Sequence, residues 1–487
     1  MDNHIFTSFE IKRILDACKG KKLSEIDKNG VLERAKDKTR INGIAGDIIE
    51  ESVLGYAANS DQNPDLQVDG EPVELKTTGL KHTKVKPHYA AKERLTITAV
   101  SPKNIIDEKF ENSHFWGKAK SLLFVYYFYD ASKPVAAIDY GNFIFQGYKF
   151  FKFSNNDKVQ LQSEWEYIKQ VYSQHQDDYK TEQVRSKLRG LNYLEVVAKK
   201  TNPRIALSQK YFNVIVHQFF GEKFEPILKG DSAKTFEEVV LDMFRPFIGR
   251  TRRNIAEELH VEIPKKNAKS TNPTLARKML NLGADIENSE EFQKANIIVK
   301  TMTVKDRQAK KYAQTKEGFK VQHYFDFEEL MDECWKKSRL RGYLFDTKFL
   351  LVIFQQVGEN QVFRGAKFWQ VPLTDLDGPI QSTWDQTRIA LRDGVELTYK
   401  KTNDKKGFQV SNNLPEMSDG TVLHVRPDAQ VSSYVDNAHS DRLPTPAHWI
   451  NKPENMMDQL SDEYMTKQAF WLNPTYMYQQ VRDLLPN

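Results

Sequence analysis

At 487 residues the chain exceeds what a single hydrophobic core organises, and a span of about 100–200 residues per domain makes two or three domains the expectation. Its 39% hydrophobic and 28% charged residues fit a globular chain and exclude collagen-like and disordered classes; no stretch nears the ~18 apolar residues of a membrane span. Lysine and arginine number 71 against 66 acids, so a net charge of +5 leaves any polyanion-binding surface to local clusters.

The opening MDNHIFTSFEIKRIL lacks the basic-then-apolar layout of a secretion signal, and the expected location is the cytoplasm. The two cysteines, Cys18 and Cys334, have no CxxC partner, which excludes a disulfide framework and a thiolate zinc site; both are expected to be buried and reduced.

In chain order, residues 5–18 place Ile11, Ile14, Leu15 and Cys18 at helical spacing behind Thr7 and Ser8 as caps. A second helix is expected over 43–57. The turn-rich NSDQNPD comes next, then VELKTTG, where Val73 and Leu75 alternate with Glu74 and Lys76 as in a half-buried strand. Further strands are expected at 94–100 and 121–129, the latter apolar enough for the middle of a sheet, and helices at 162–175 and 208–220. The apolar pattern weakens over EKFEPILKGDSAKTF (221–235), which sets a boundary between domains 1–225 and 226–487.

Beyond that boundary the chain repeats the order of its first half. TFEEVVLDMFRPFIG (235–249) echoes GDIIEESVLGY (46–56), ANIIVKTMTV (295–304) echoes EPVELKTTGL (71–80), and YLFDTKFLLVIFQ (343–355) echoes SLLFVYYFY. GTVLHVRPDAQ (420–430) parallels GLNYLEVVAKK (190–200), and AFWLNPTYMYQQV (469–481) parallels IALSQKYFNVIV (205–216). The fold class is therefore α/β, a mixed α+β sheet flanked by helices and present as a tandem pair.

In the first copy Pro64, Asp65, Glu74 and Lys76 form P-D-x8-E-L-K. Two carboxylates beside a lysine suit phosphodiester hydrolysis, because hard Mg2+ takes oxygen ligands and the attacking water needs a cation to stabilise its hydroxide form. An acidic-apolar-basic strand is more commonly just a solvated sheet face, and Asp2, Glu10, Ile11 and Lys12 repeat nearly the same spacing at a helix start where no shared metal geometry is expected. The preceding helix favours the later match, since Glu50 or Glu51 can add a third carboxylate. In the second copy the matching strand reads Ile298, Val299, Lys300, and that copy should not cleave. No phosphate loop, dinucleotide turn, HExxH helix or GxSxG elbow is present. Basic clusters at Lys199 and Lys200, Arg250 to Arg253, Lys265 to Lys269 and Lys305 to Lys311 are either solvated surface or DNA contacts.

The runs GDIIEESVLGY, NPD and VELKTTG resemble the MutH family of DNA endonucleases, a branch of the P-D-(D/E)-x-K nucleases, and most closely its two-domain, Sau-type restriction endonucleases that cut at GATC. The resemblance continues through KERL (92–95), the VKT strand, FRGAKFW, DGPIQSTWD, HVRP and MTKQAFWLN, over nearly the whole chain. It implies a pair of MutH-like nuclease-fold domains, a metal-binding Asp65 and Glu74, a catalytic Lys76 and a helical Glu50, with Glu51 the alternative. The family's DNA-reading arginine and aromatic residue resemble Arg426 and Trp471. The first-domain counterparts are expected in VVAKKTN, at Lys199, Lys200 and Asn202, and around Lys210 and Tyr211; the reading A-K-K-T-N departs from the family's T-K-G-A-N type of loop.

The implied activity is Mg2+-dependent double-strand cleavage of GATC by the first domain, with the second as an effector that binds another site. Implied partners are double-stranded DNA, a second copy of the chain on that DNA, and a cognate DNA methyltransferase, with no membrane. The competing readings are a MutH-like strand-nicking repair endonuclease and a sequence-specific DNA-binding protein without catalysis.

Overall fold

A computed structural model of the chain describes residues 4–35, 43–57, 63–83, 89–176, 178–197, 202–264, 270–283, 285–305, 314–316, 318–321, 324–403, 407–456 and 458–486. Backbone packing divides the chain into two compact units, Met1–Val240 with Leu282–Asn296, and Leu241–Asn281 with Ile297–Asn487. The chain leaves the first unit within the helix Phe236–Phe244 and later returns to it. The boundary expected after residue 225 thus falls inside the first unit, for a physical reason. The returning segment brings Glu291, whose buried carboxylate accepts from the Ile227 and Leu228 amides at 2.8 and 3.1 Å, and Lys294, whose buried ammonium meets Asp157 at 2.7 Å. Breaking such a buried pair costs about 3–5 kcal/mol, so this staple holds both segments.

The strands of the first unit are β1 (Ile5–Phe6), β2 (Leu66–Val68), β3 (Glu71–His82), β4 (Tyr89–Ala91), β5 (Leu95–Ala99), β6 (Leu122–Phe128), β7 (Ile144–Phe151), β8 (Leu194–Val197) and β9 (Arg204–Leu207). Among the described residues they form one sheet in the order β1-β2-β3-β6-β7, with β4 on β3, and a smaller one in the order β5-β9-β8. β6 lies in the middle as its apolar run requires, with Leu122 to Val125 all buried, parallel to β3 and antiparallel to β7. Helix Ser8–Asp16 begins at Thr7, whose hydroxyl accepts from the Glu10 amide while Glu10 reaches back to the Thr7 amide, and it buries Ile11 and Leu15. This ties Glu10 to a cap and removes it from any metal role. Helix Asn155–Gln174 starts earlier than its periodicity indicates, because Asp157, Gln160 and Glu164 are buried polar residues that break the apolar stripe.

The second unit contains β10 (Ile297–Val304), β11 (Phe319–Lys320), β12 (Lys348–Val357), β13 (Asn360–Trp369), β14 (Glu396–Lys401), β15 (Phe408–Asn412), β16 (Leu423–Pro427), β17 (Ser440–Arg442), β18 (His448–Trp449), β19 (Tyr464–Thr466) and β20 (Gln468–Leu472). Its sheets β10-β12-β13 and β11-β20-β16 reproduce β3-β6-β7 and β5-β9-β8 in order and direction. The registers agree in detail. A bulge in β7 at Gln146 and Gly147 lies opposite Tyr126 and Tyr127 of β6, and another in β13 at Arg364 and Gly365 lies opposite Ile353 and Phe354 of β12. Both glycines have positive φ, 150° and 122°, and a Cβ on Gly147 would stand 3.0 Å from Phe219. Counting from the bulges, Lys76 beside Phe124 matches Lys300 beside Leu351, and Glu74 matches Ile298.

One expected echo is corrected. Gly20 donates to the Phe145 carbonyl and Gly249 to the equivalent Phe363 carbonyl, each at 2.9 Å, and Thr235 caps its helix through Glu238 as Thr7 does through Glu10. Helix Phe236–Phe244 is therefore the counterpart of Ser8–Asp16, not of residues 46–56; amphipathic periodicity alone does not distinguish two such helices. Of the cysteines Cys18 is buried as expected, whereas Cys334 is exposed ahead of the turn Trp335–Lys337. Among the described residues no helix is long and apolar enough to cross a membrane.

Candidate active site

The spacing between Asp65 and Glu74 is set by a tight turn. Asp69 and Gly70 both have positive φ, 51° and 80°, as a two-residue hairpin with right-handed strand twist demands, and this pairs Leu66 with Val73. One step further along the ladder Asp65 comes opposite Glu74. The Asp65 carboxylate accepts from the Leu75 amide at 3.0 Å, and its carbonyl meets His4 Nδ1 at 2.8 Å, so both its ends are fixed.

Helix Ile44–Asp47 continues as a π-helix over Ile48–Leu54 and stops at Gly55, where φ is 81°. The wider winding decides between the two glutamates. Glu51 pairs outward with Arg34 at 3.0 Å. Glu50 is turned toward Asp65 and Lys76; burial, and secondarily the Asp65 charge, push its carboxyl up to about 7.

Glu74 is 1% exposed, and its Oε1 receives two ammonium groups, Lys76 at 2.6 Å and Lys118 at 3.1 Å. Burial raises its pKa against the pull of these lysines. Lys118, on the helix His114–Ala119, gave no signal in the sequence, since it lies 44 residues from Glu74 and looks like any helix-surface lysine. Tyr56 was also missed. It is buried, packs against His4 in a tilted contact with ring centroids 4.5 Å apart, and has its phenol pushed upward by burial and by Glu50, Asp65 and Glu74.

Among the described residues no three His, Cys, Asp or Glu side chains form a ready-made metal cage. The donors are the facing pair Asp65 and Glu74, with Glu50 adding charge from the helix. Glu74 Oε2 and the Tyr56 hydroxyl are buried without a hydrogen-bond partner. Orphaned oxygens amid three carboxyls are costly as they stand and suit a hard divalent cation that takes oxygen ligands, so the residues present fit such an ion.

Among the described residues the equivalent positions of the second unit do not carry this set. Its strand carries Ile298 and Lys300, and the helix Thr271–Met279, TNPTLARKM, contains no acid. It carries instead Arg426 on β16, exposed and 4.8 Å over the ring of Trp471 on β20. His424, paired with Trp471 across the ladder, is fully buried and held down to about 4 by burial and then by Arg426, and is therefore neutral at physiological pH.

Of the expected first-unit counterparts, Lys199 and Lys200 lie outside the described residues. Asn202 is exposed at the rim of a cavity of about 240 Å3, and Lys210 is exposed on the helix Gln209–Phe219. Tyr211 is corrected. It is fully buried, with its ring 4.8 Å from Tyr193 and 5.9 Å from Phe153, and presents nothing to a ligand. The ladder shows the true equivalences. Leu194 pairs with Leu207 as Leu423 does with Leu472, and Ser208 donates to the Tyr193 carbonyl as Asn473 does to Val422. Trp471 thus corresponds to Ala206, and Arg426 to Val197. The shared helix cap after each leucine, Ser208 or Asn473, was the signal available in the sequence.

Comparison with known proteins gives two likenesses. Residues 54–164 match the model of the family described as DNA mismatch repair enzyme MutH. Over 499 aligned positions, covering 96% of each chain, the protein is 29% identical to the type II restriction enzyme Sau3AI of Staphylococcus aureus.

Proposed function

We propose that this chain, similar to the MutH family over residues 54–164 and to a type II restriction enzyme over 96% of its length, is a site-specific deoxyribonuclease of that type, which cuts both strands of DNA at a short palindrome, GATC, using Mg2+ held in the first unit. The observation that carries this reading is the convergence of Glu50, Asp65, Glu74 and Lys76 in one unit, against Ile298 and an acid-free helix in the other.

Bound Mg2+ supplies Lewis-acid stabilisation of phosphate charge and lowers the pKa of water. Asp65 and Glu74 would hold it. Lys76, whose ammonium is 2.6 Å from Glu74, orients the attacking water and stabilises the negative charge that develops on it. Glu50 supports the charge balance around Lys76 and Asp65. Lys118 holds Glu74 in place from the second side. Replacing Lys118 with alanine should lower the single-turnover rate by about 10- to 100-fold with little change in DNA affinity. An unchanged rate would remove Lys118 from the site.

In functional terms the first unit reads as the catalytic domain and the second as a DNA-binding effector domain that offers Arg426 and Trp471 to a second site. A twofold-symmetric target calls for two catalytic units, hence self-association on DNA. Cleavage in the cytoplasm implies a cognate methyltransferase that protects the host's own sites.

The test is unmethylated plasmid carrying several GATC sites, incubated with Mg2+ or EDTA. Discrete fragments ending at GATC, formed only with Mg2+, support the reading. Nicked circles alone favour the repair-type nickase, and tight binding to intact plasmid favours the non-catalytic reading. Two-site DNA should be cut at least about tenfold faster than one-site DNA, and Arg426→Ala with Trp471→Ala should abolish the difference. Equal rates on both substrates would refute the effector role.

A further inference from the structure

The strand registers of the two units place an arginine at the same rung but on different strands. In the second unit Arg426 on β16 faces Ala469 on β20; at the equivalent rung of the first unit Val197 on β8 faces Arg204 on β9. The equivalence rests on two independent markers. The pairs Leu194–Leu207 and Leu423–Leu472 coincide, and the amides of Ser208 and Asn473 close the same backbone bond at 2.8 and 2.9 Å. Directly opposed residues of an antiparallel ladder share a face with Cβ atoms about 4.5–5.5 Å apart, so an arginine on either strand delivers its long side chain to the same place.

The surroundings agree. Arg204 is exposed, and among the described residues no carboxylate pairs with it. On the same face Glu195, two residues before Val197, is already paired with Arg94. On its other side Arg204 is paired with Ala99 of β5, which leaves the guanidinium room.

We propose that Arg204 is the specificity-determining arginine of the first unit, donating bidentately to O6 and N7 of a guanine in the major groove from the strand opposite Val197. The assignment rests on the nuclease reading. The guanidinium fork is suited to guanine because its fixed, planar pair of N–H groups matches two acceptors on one base edge, a geometry that the rotatable point charge of a lysine ammonium does not impose.

The test measures kcat/KM of the full chain on a duplex with its cognate site, on the same duplex carrying 7-deazaguanine there, and on single-pair variants of the site. Arg204→Ala should lose about 10- to 100-fold on the cognate site, and 7-deazaguanine should then cost it nothing further, whereas it costs the unmodified protein about as much as the substitution does. Arg204→Lys should keep general DNA affinity and lose discrimination. Adding Val197→Arg to Arg204→Ala moves the guanidinium back across the ladder and should restore most of both rate and preference. That rescue separates readout from simple damage to the fold. If the unmodified protein discriminates and Arg204→Ala discriminates equally, this assignment falls and the nuclease reading stands. If the unmodified protein cuts no DNA under any condition, both fall.

Discussion

Replacing Lys76 with alanine should slow DNA cleavage by about 10²–10³ while leaving DNA affinity within a few-fold, the effect of removing one positioned donor that stabilises developing negative charge. Its ammonium is 2.6 Å from the Glu74 carboxylate, which is 1% exposed, and its removal takes from that buried group one of the two ammonium partners described. Asp65→Asn should fall as far. The asparagine can still accept from the Leu75 amide, and so the hairpin survives while a cation donor is lost. The measurement is single-turnover cleavage of a labelled duplex beside binding of the same duplex in EDTA. A loss of rate matched by an equal loss of binding would mean that these residues hold DNA and do no chemistry.

The second large effect is on stability. With no cation bound, Glu50 keeps its proton up to about pH 7 in the folded state, against the ordinary value of 4.5 when unfolded. The folded protein therefore binds more protons than the unfolded chain between those values, and stability falls as pH rises through that window. Glu50→Gln removes this term. The variant and the unmodified protein should be equally stable near pH 5, and the variant should be more stable by about 2 kcal/mol at pH 8, a figure reduced for partial exposure. Millimolar Mg2+ should return most of that difference to the unmodified protein and give little to the variant. Urea unfolding at the two pH values, with and without Mg2+, decides it. Parallel pH profiles for the two proteins would show that Glu50 carries no such strain.

The sequence was most legible where backbone periodicity and chemistry coincide. Asp65, Glu74 and Lys76 were visible because a two-residue turn and a pleat fix their spacing, and the duplication was visible in the apolar strands β6 and β12. It was least legible where the fold joins distant positions. Lys118 reaches Glu74 across 44 residues, and Tyr56 is in the site only because the π-helix ends beside it. Tyr211 misled because an aromatic residue near an expected reader position looks available until the ladder shows Ala206 there. The choice between Glu50 and Glu51 could not be made from spacing, since it depends on how the helix is wound.

That winding bears on how such a chain can change over generations. A turn holding one residue more than an α-helix needs can lose a residue without losing its ends. Shortened by one between Glu51 and Gly55, the segment could rewind as an ordinary helix with Glu50 four residues before the terminal glycine, the position Glu51 now holds. Which of the two consecutive glutamates faces Asp65 is therefore set by the winding and not by the residue type, and a one-residue change in this segment should move a carboxylate relative to Asp65.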